Sequence, residues 1–232
     1  MAIKNLLYII PSSVIFNKES VPVFESLSRE DSSALFSTLY LNNKEVIQKL
    51  SGDLEFNYCF YEPDRDYLPG EFSGMKDNIE FYKLNEGVKY FRKLFKDYSP
   101  AEFPNIIFIV SNSIGIKPVD LLRTISLLNQ EDNNIVIGRS ISGKISIIAF
   151  NYYEDKLFES FSSFKFTYEE FLPRINKIDY YFYLLEGFLT VDDLNDFKNL
   201  YKILSNKDSI DFCSHEMHER FTHLFIEYKD LL

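Results

Sequence analysis

Along this chain, short uninterrupted apolar runs alternate with stretches in which apolar residues recur every three or four positions. The clearest run is Ile106–Val110, which follows Pro104-Asn105 and leads into Ser111-Asn112-Ser113. A short, β-branched apolar run bounded by turn residues predicts a strand buried on both faces. In an open α/β sheet, the polar step at the C-terminal end of such a strand is where ligands sit. Pro118 then opens a predicted helix carrying Val119, Leu122, Ile125 and Leu128 at helical spacing.

The same reading gives a first strand over Lys4–Ile10, ended by Pro11, and a long loop without period through Glu30. Asp31 or Ser32 is the expected cap of a helix whose stripe is Leu35, Leu39, Val46, Ile47 and Leu50, stopped at Ser51-Gly52. Glu55–Tyr61 alternates as a strand, Pro63–Lys76 is a loop, Ile79–Lys83 is a strand, and Leu84–Tyr98 is a helix. Strands Asn134–Gly138 and Lys144–Phe150 flank a hairpin turn at Arg139–Gly143. Short helices follow around Tyr153–Phe161 and Tyr168–Lys177, then a strand at Tyr180–Leu185. Thr190 as N-cap with Asp193 at the third helical position opens the next helix, and a last one spans Ser209–Leu231. Alternating strands and helices predict an α/β, three-layer α/β/α sandwich with a mostly parallel, Rossmann-like sheet and one antiparallel hairpin. One domain over residues 1–232 is expected, with 206–232 a C-terminal helical extension.

Charge narrows the partners. A formal charge of −10 opposes binding to nucleic acid or to anionic membrane, both of which need a basic field. No apolar run approaches the ~20 residues of a membrane span, and Leu6–Ile10 is too short for a signal sequence, so a cytoplasmic protein is expected. Cys59 and Cys213 read as unpaired thiols, Cys59 as a small core residue. The 23 Phe and 16 Tyr predict a Phe-rich core edged by Tyr, with an aromatic partner surface as the alternative.

Four segments in order carry a family resemblance: Leu84-Asn85-Glu86 before Val88 and Phe91, Val110–Ile116, Ser142–Ile147, and Gly187–Leu194. Over roughly residues 4–205 the chain resembles the glycosyltransferase-A (nucleotide-diphospho-sugar transferase) family, near the small bacterial transferases related to the molybdenum-cofactor and lactyl-phosphate guanylyltransferases. The resemblance implies a nucleotide or nucleotide sugar as ligand, with Asn112, Ser113, Ser142, Lys144 and Glu86 as candidate contacts. It also implies a divalent metal held by acidic residues. Asn112, Ser142 and Leu189, however, stand where the family carries Asp, and Gly187 belongs to the same lost acidic pair. Mg²⁺ and Mn²⁺ need hard anionic oxygen ligands, so no cofactor is expected unless that chemistry is retained elsewhere. The first loop contains no glycine, and its cations are Lys18 and Arg29, which makes a poor phosphate loop.

The reading is therefore a transferase homologue without metal-dependent catalysis that acts as a binding or interaction protein, as a homo-oligomer or with a partner enzyme. Its alternatives are an active transferase, metal-independent or using relocated acids such as Asp64 and Asp66, and an aromatic-rich oligomerisation module with a vestigial cleft. Lys144, Arg139 and Lys117 are candidate phosphate-holding cations at the sheet edge, with ordinary surface charges as the plainer reading. His215, His218, Glu219 and His223 lie at helical spacing and could form a surface metal site; a solvated helix face is the plainer reading.

Overall fold

A computed structural model describes residues 4–50, 54–74, 78–83, 101–159 and 167–232, with residues 86, 89, 92, 95, 96, 98 and 99. The helix expected over Leu84–Tyr98 falls largely outside the described residues, as do its Leu84, Val88, Phe91 and Leu94, the Ser51-Gly52 stop and Phe161.

The strands are β1 (Asn5–Ile10), β2 (Leu54–Tyr61), β3 (Ile79–Tyr82), β4 (Asn105–Val110), β5 (Ser113–Ile114), β6 (Asn134–Ser140), β7 (Ile145–Phe150) and β8 (Tyr181–Thr190). They form one sheet in the order β3-β2-β1-β4-β7-β6-β8-β5. β7 and the two-residue β5 run against the others, and neighbours β1, β2, β3 and β4 are parallel, as are β6 and β8. The described helices are α1 (Arg29–Gln48), α2 (Pro118–Leu128), α3 (Asp155–Glu159), α4 (Tyr168–Ile175), α5 (Leu194–Leu204) and α6 (His215–Glu227).

Strand alternation explains the layering. Ile107 and Ile109 of β4, with Leu7 and Ile9 of β1, enter one core with residues of α1, α2, α5 and α6. Ile106, Phe108 and Val110, with Leu6, Tyr8 and Ile10, enter a second core on the opposite face with Phe95, Phe103, Phe171 and Ile175. Both faces of β1 and β4 are thus covered, which is why these strands read as continuous apolar runs; each such side chain contributes about 1.5–3 kcal/mol. The Phe residues build the core in contacting rings, as between Tyr40 and Phe60 at 4.9 Å and Phe103 and Phe150 at 6.2 Å. Cys59 and Cys213 are free and buried.

Several boundaries move. The cap of α1 is Ser28, whose hydroxyl accepts from the Asp31 N–H, one turn before the expected position. β8 runs on to Thr190, so Thr190 is a strand residue, and Asp193 caps α5 by accepting from the Asp196 N–H. The C-terminal helix is divided: Lys207–Asp211 makes a 3-10 turn, and Ser214 caps α6 through the Met217 N–H. Met217, Phe221, Leu224 and Phe225 of α6 join the α1-side core, and the Tyr228 hydroxyl donates to Asp31 at 2.6 Å. No described helix is long and apolar enough to cross a membrane.

Gly138 of β6 lies where a Cβ would stand 2.8 Å from both Ile147 Cβ and Phe188 Cε2. Gly138→Ala is expected to lower stability by about 1–3 kcal/mol through overpacking, measured as a shifted urea midpoint with unchanged slope.

Candidate functional site

The C-terminal ends of β4, β6 and β8 meet the N-terminal end of β7 along one edge of the sheet. Ile106 pairs with Phe150 and Ile109 with Ile147, so the exit of β4 and the start of β7 lie at the same edge, and Asn112 and Lys144 meet there through a shared partner, Asp192. Gly143 closes the hairpin with φ +81, a left-handed conformation that suits glycine and turns the chain back at Lys144. β5 brings the β4 exit beside the end of β8, with Ser113 opposite Thr190. The turn between β4 and β5 is fixed by Asn43 of α1, whose Nδ2 donates to the carbonyls of Ser111 (3.0 Å) and Ser113 (2.8 Å).

These elements gather a charged cluster. Asn112, 1% exposed, donates from Nδ2 to the Val191 carbonyl at 3.0 Å and to Asp192 Oδ1 at 2.8 Å. Its buried Oδ1 has no hydrogen-bond partner among the described residues. The Lys144 ammonium lies 2.9 Å from Asp192 Oδ2 and 3.2 Å from Asp196 Oδ2. Asp196 is held in turn by the Asp192 N–H at 3.1 Å. Burial pulls the Lys144 pKa down, but the Asp192 hydrogen bond and the charges of both carboxylates outweigh it and hold the group above the usual lysine value. Asp196 moves the same way for another reason: burial raises its carboxyl more than the Asp192 N–H and Lys144 lower it. Beneath the cluster, the Ser146 and Thr190 hydroxyls are 2.9 Å apart, Ser113 lies 3.5 Å from Thr190, and Ser140 accepts from the Thr190 N–H.

Of the expected ligand contacts, Asn112 and Lys144 are therefore brought into one network, with Ser113 beneath it. Ser142 is exposed on the hairpin turn and reaches the network only through the Ser140 hydroxyl at 2.8 Å. Glu86 is exposed just beyond β3, four strand positions from β7. Arg139 pairs with Glu186 at 3.6 Å and lies over Tyr168, while Lys117 pairs with Asp211 at 2.8 Å. Asp64 and Asp66 do not converge: Asp64 is fully buried on backbone N–H groups, and Asp66 is exposed. On α6, His215 faces solvent beside Glu219, and His223 is also exposed. His218 instead turns toward α5, its Nε2 3.0 Å from the Leu204 carbonyl, in a cavity of about 350 Å³ remote from the sheet edge. Among the described residues no three His, Cys, Asp or Glu side chains converge to hold an ion.

Asp192, Asp196 and Asn43 were missed by sequence reasoning. Asp192 and Asp196 lie three or more positions beyond Gly187 and Leu189, where the family resemblance places the acidic pair. Asn43 carried a readable signal, as a polar residue in the Leu35, Leu39, Ile47 stripe of α1.

As arranged, this donor set does not fit a divalent cation. Two carboxylates do converge, but the point between them is held by the Lys144 ammonium, and Asn112 adds only a neutral amide. A divalent ion needs several free anionic oxygens.

The strand order, the mixed sheet covered on both faces and the polar edge at the end of β4 define a three-layer α/β fold of the nucleotide-sugar transferase type. The whole chain superposes on 97% of a protein from Desulfovibrio desulfuricans G20 whose provisional description is nucleotide-diphospho-sugar transferase, with TM-score 0.69 and 17% identity. It also resembles the 4-diphosphocytidyl-2C-methyl-D-erythritol synthase of Anaerococcus prevotii DSM 20548, over 95% of this chain and 96% of that one, with TM-score 0.50 and 11% identity. At such identities the likeness is one of fold: glycosyltransferase-A-like, shared with nucleotidyl and nucleotide-sugar transferases. No protein-family model and no curated protein matches the chain.

The dependence of the site on α1 is testable. Asn43→Ala leaves two buried carbonyls short of a donor, and a loss of about 1–3 kcal/mol is expected in chemical denaturation. Asn42→Ala, the adjacent control, leaves the Ser111 and Ser113 carbonyls with their donor.

Proposed function

We propose that this chain is a nucleotide- or nucleotide-sugar-binding protein of the transferase fold that works without a divalent metal and does not carry out metal-dependent transfer. The observation that supports this most is the Lys144 ammonium between Asp192 and Asp196, beside the neutral Asn112. In metal-dependent phosphoryl or glycosyl chemistry a divalent cation neutralises the leaving phosphate. Among the described residues the cation in the cluster is a tethered monovalent one, which orients an anion but draws off less charge.

Lys144 and Asp192 are 28% and 37% exposed, whereas Asp196 is 4% exposed. An incoming diphosphate takes its contact from Lys144 on the open side, and Asp192 turns toward water at small cost because it is already part-exposed. Asp196 stays on the ammonium and keeps it in place. A nucleoside sits over the end of β4, where open α/β sheets hold their ligands, with Asn112 and Ser113 buried beneath it as supports of the site rather than as contacts. Binding rather than turnover makes a second copy of the chain or a partner enzyme the natural reader of the bound state.

The test is a thermal-shift series with uridine, cytidine and guanosine diphosphate sugars, each in EDTA and in Mn²⁺, with the sugar nucleotide recovered afterwards. At ~100 Kd of ligand the stabilisation is about 2.7 kcal/mol. The expected result is a shift that is equal in both buffers, lost in Lys144→Met, and accompanied by intact ligand. Mn²⁺-dependent breakdown or transfer overturns the reading. Turnover in EDTA that disappears with Lys144→Met would favour the metal-independent transferase instead.

A further inference from the structure

The loop after β1 holds an anion that belongs to the chain itself. Three successive backbone N–H groups converge on the Asp64 carboxylate: Ile15 donates to both oxygens at 3.1 Å, Phe16 to Oδ1 at 2.7 Å and Asn17 to Oδ1 at 2.9 Å. Consecutive N–H groups aimed at one point form a nest with fixed partial positive charge, the arrangement by which backbone binds phosphate and other oxyanions. Asp64 is fully buried, and no ion pair joins it to a cation among the described residues, so these amides are the groups that face its charge, and burial raises its carboxyl more than they lower it. The loop's cations are engaged elsewhere: Lys18 pairs with Glu30 at 2.7 Å, and Arg29 donates to the Glu19 and Val21 carbonyls. The two loops are pinned by Asn17 Nδ2 on the Pro63 carbonyl at 3.1 Å, and the Ser33 hydroxyl holds the Ile15 carbonyl at 2.9 Å.

We propose that the Ile15–Asn17 backbone is an oxyanion-binding nest whose resident ligand is Asp64, so that the loop following the first strand is closed to external phosphate. The carboxylate fills the nest from the adjacent strand's exit, in the 3-10 turn Glu62–Tyr67, and fastens the β1 and β2 loops to each other. An anionic ligand at this sheet edge must then be held away from the first loop. This inference goes beyond the nucleotide reading and stands without it.

The experiment uses the full chain and no nucleotide. Backbone amide shifts and hydrogen exchange of Ile15, Phe16 and Asn17 are followed in the wild type, Asp64→Asn and Asp64→Gly. The probes are sodium formate and inorganic phosphate, with sodium chloride at equal ionic strength as the reference. In Asp64→Asn, exchange at the three amides is expected to rise roughly tenfold, the effect of losing a charged acceptor. In Asp64→Gly, formate is expected to move these amides and raise the thermal midpoint where chloride does not. Wild type is expected to respond to neither anion at these positions. Formate acting no differently from chloride in Asp64→Gly overturns the proposal, as does phosphate moving these amides in the wild type. Should Asp64→Gly fail to fold, unchanged exchange in Asp64→Asn overturns it, and faster exchange confined to the three amides supports it.

Discussion

The Lys144 ammonium lies between two carboxylates, 2.9 Å from Asp192 and 3.2 Å from Asp196, and the chemistry open to this sheet edge follows from that contact. An ammonium on a side chain differs from a bound divalent ion in three ways: it carries half the charge, it cannot leave, and it reaches only as far as its stem allows. Asp196 is buried beneath it and, without it, would keep the Asp192 N–H but lose the cation that balances its charge. The contact is therefore structural and electrostatic together. It satisfies Asp196 and leaves one cation facing the open side of the edge.

The cluster is a product of sheet topology rather than of any local motif. The antiparallel pairing of β4 and β7 brings the β4 exit and the start of β7 to one edge, and the short β5 carries the β4 exit to the end of β8, where Asp192 follows and joins Asn112 to Lys144. Asn43 then secures the intervening turn from α1. A similar substitution of chain for ligand occurs at the first loop, where three amides meet Asp64. At both places the opposite charge is supplied internally, so the edge is satisfied as it stands, and an external ligand must compete with the chain's own groups.

Much of this architecture was legible in the sequence, for a physical reason: strands buried on both faces are continuous apolar runs, and β1 and β4 are such runs. The hairpin and α2 were equally plain, because turn residues and Pro118 bound them. Boundaries set by side-chain capping were less so. Asp193, not Thr190, caps α5 because β8 extends to pair Thr190 with Ser113. Asn112 and Lys144 stand out as residues, yet their link through Asp192, and the contact of Lys144 with Asp196, depend on strand order that no local pattern encodes. Asp64 enters the sequence reading only in an alternative, as a relocated acid, because exposure is invisible in a two-carboxylate spacing; its burial on backbone amides comes from the packing of two loops.

The most direct measurement is the uptake of Mn²⁺, followed by the paramagnetic resonance signal of the free ion during titration of the wild type and of Lys144→Met. If the lysine holds the cation position, the wild type leaves Mn²⁺ free, while the variant, with Asp192 and Asp196 released, takes up the ion. Binding of Mn²⁺ by the wild type as tightly as by the variant would contradict the account.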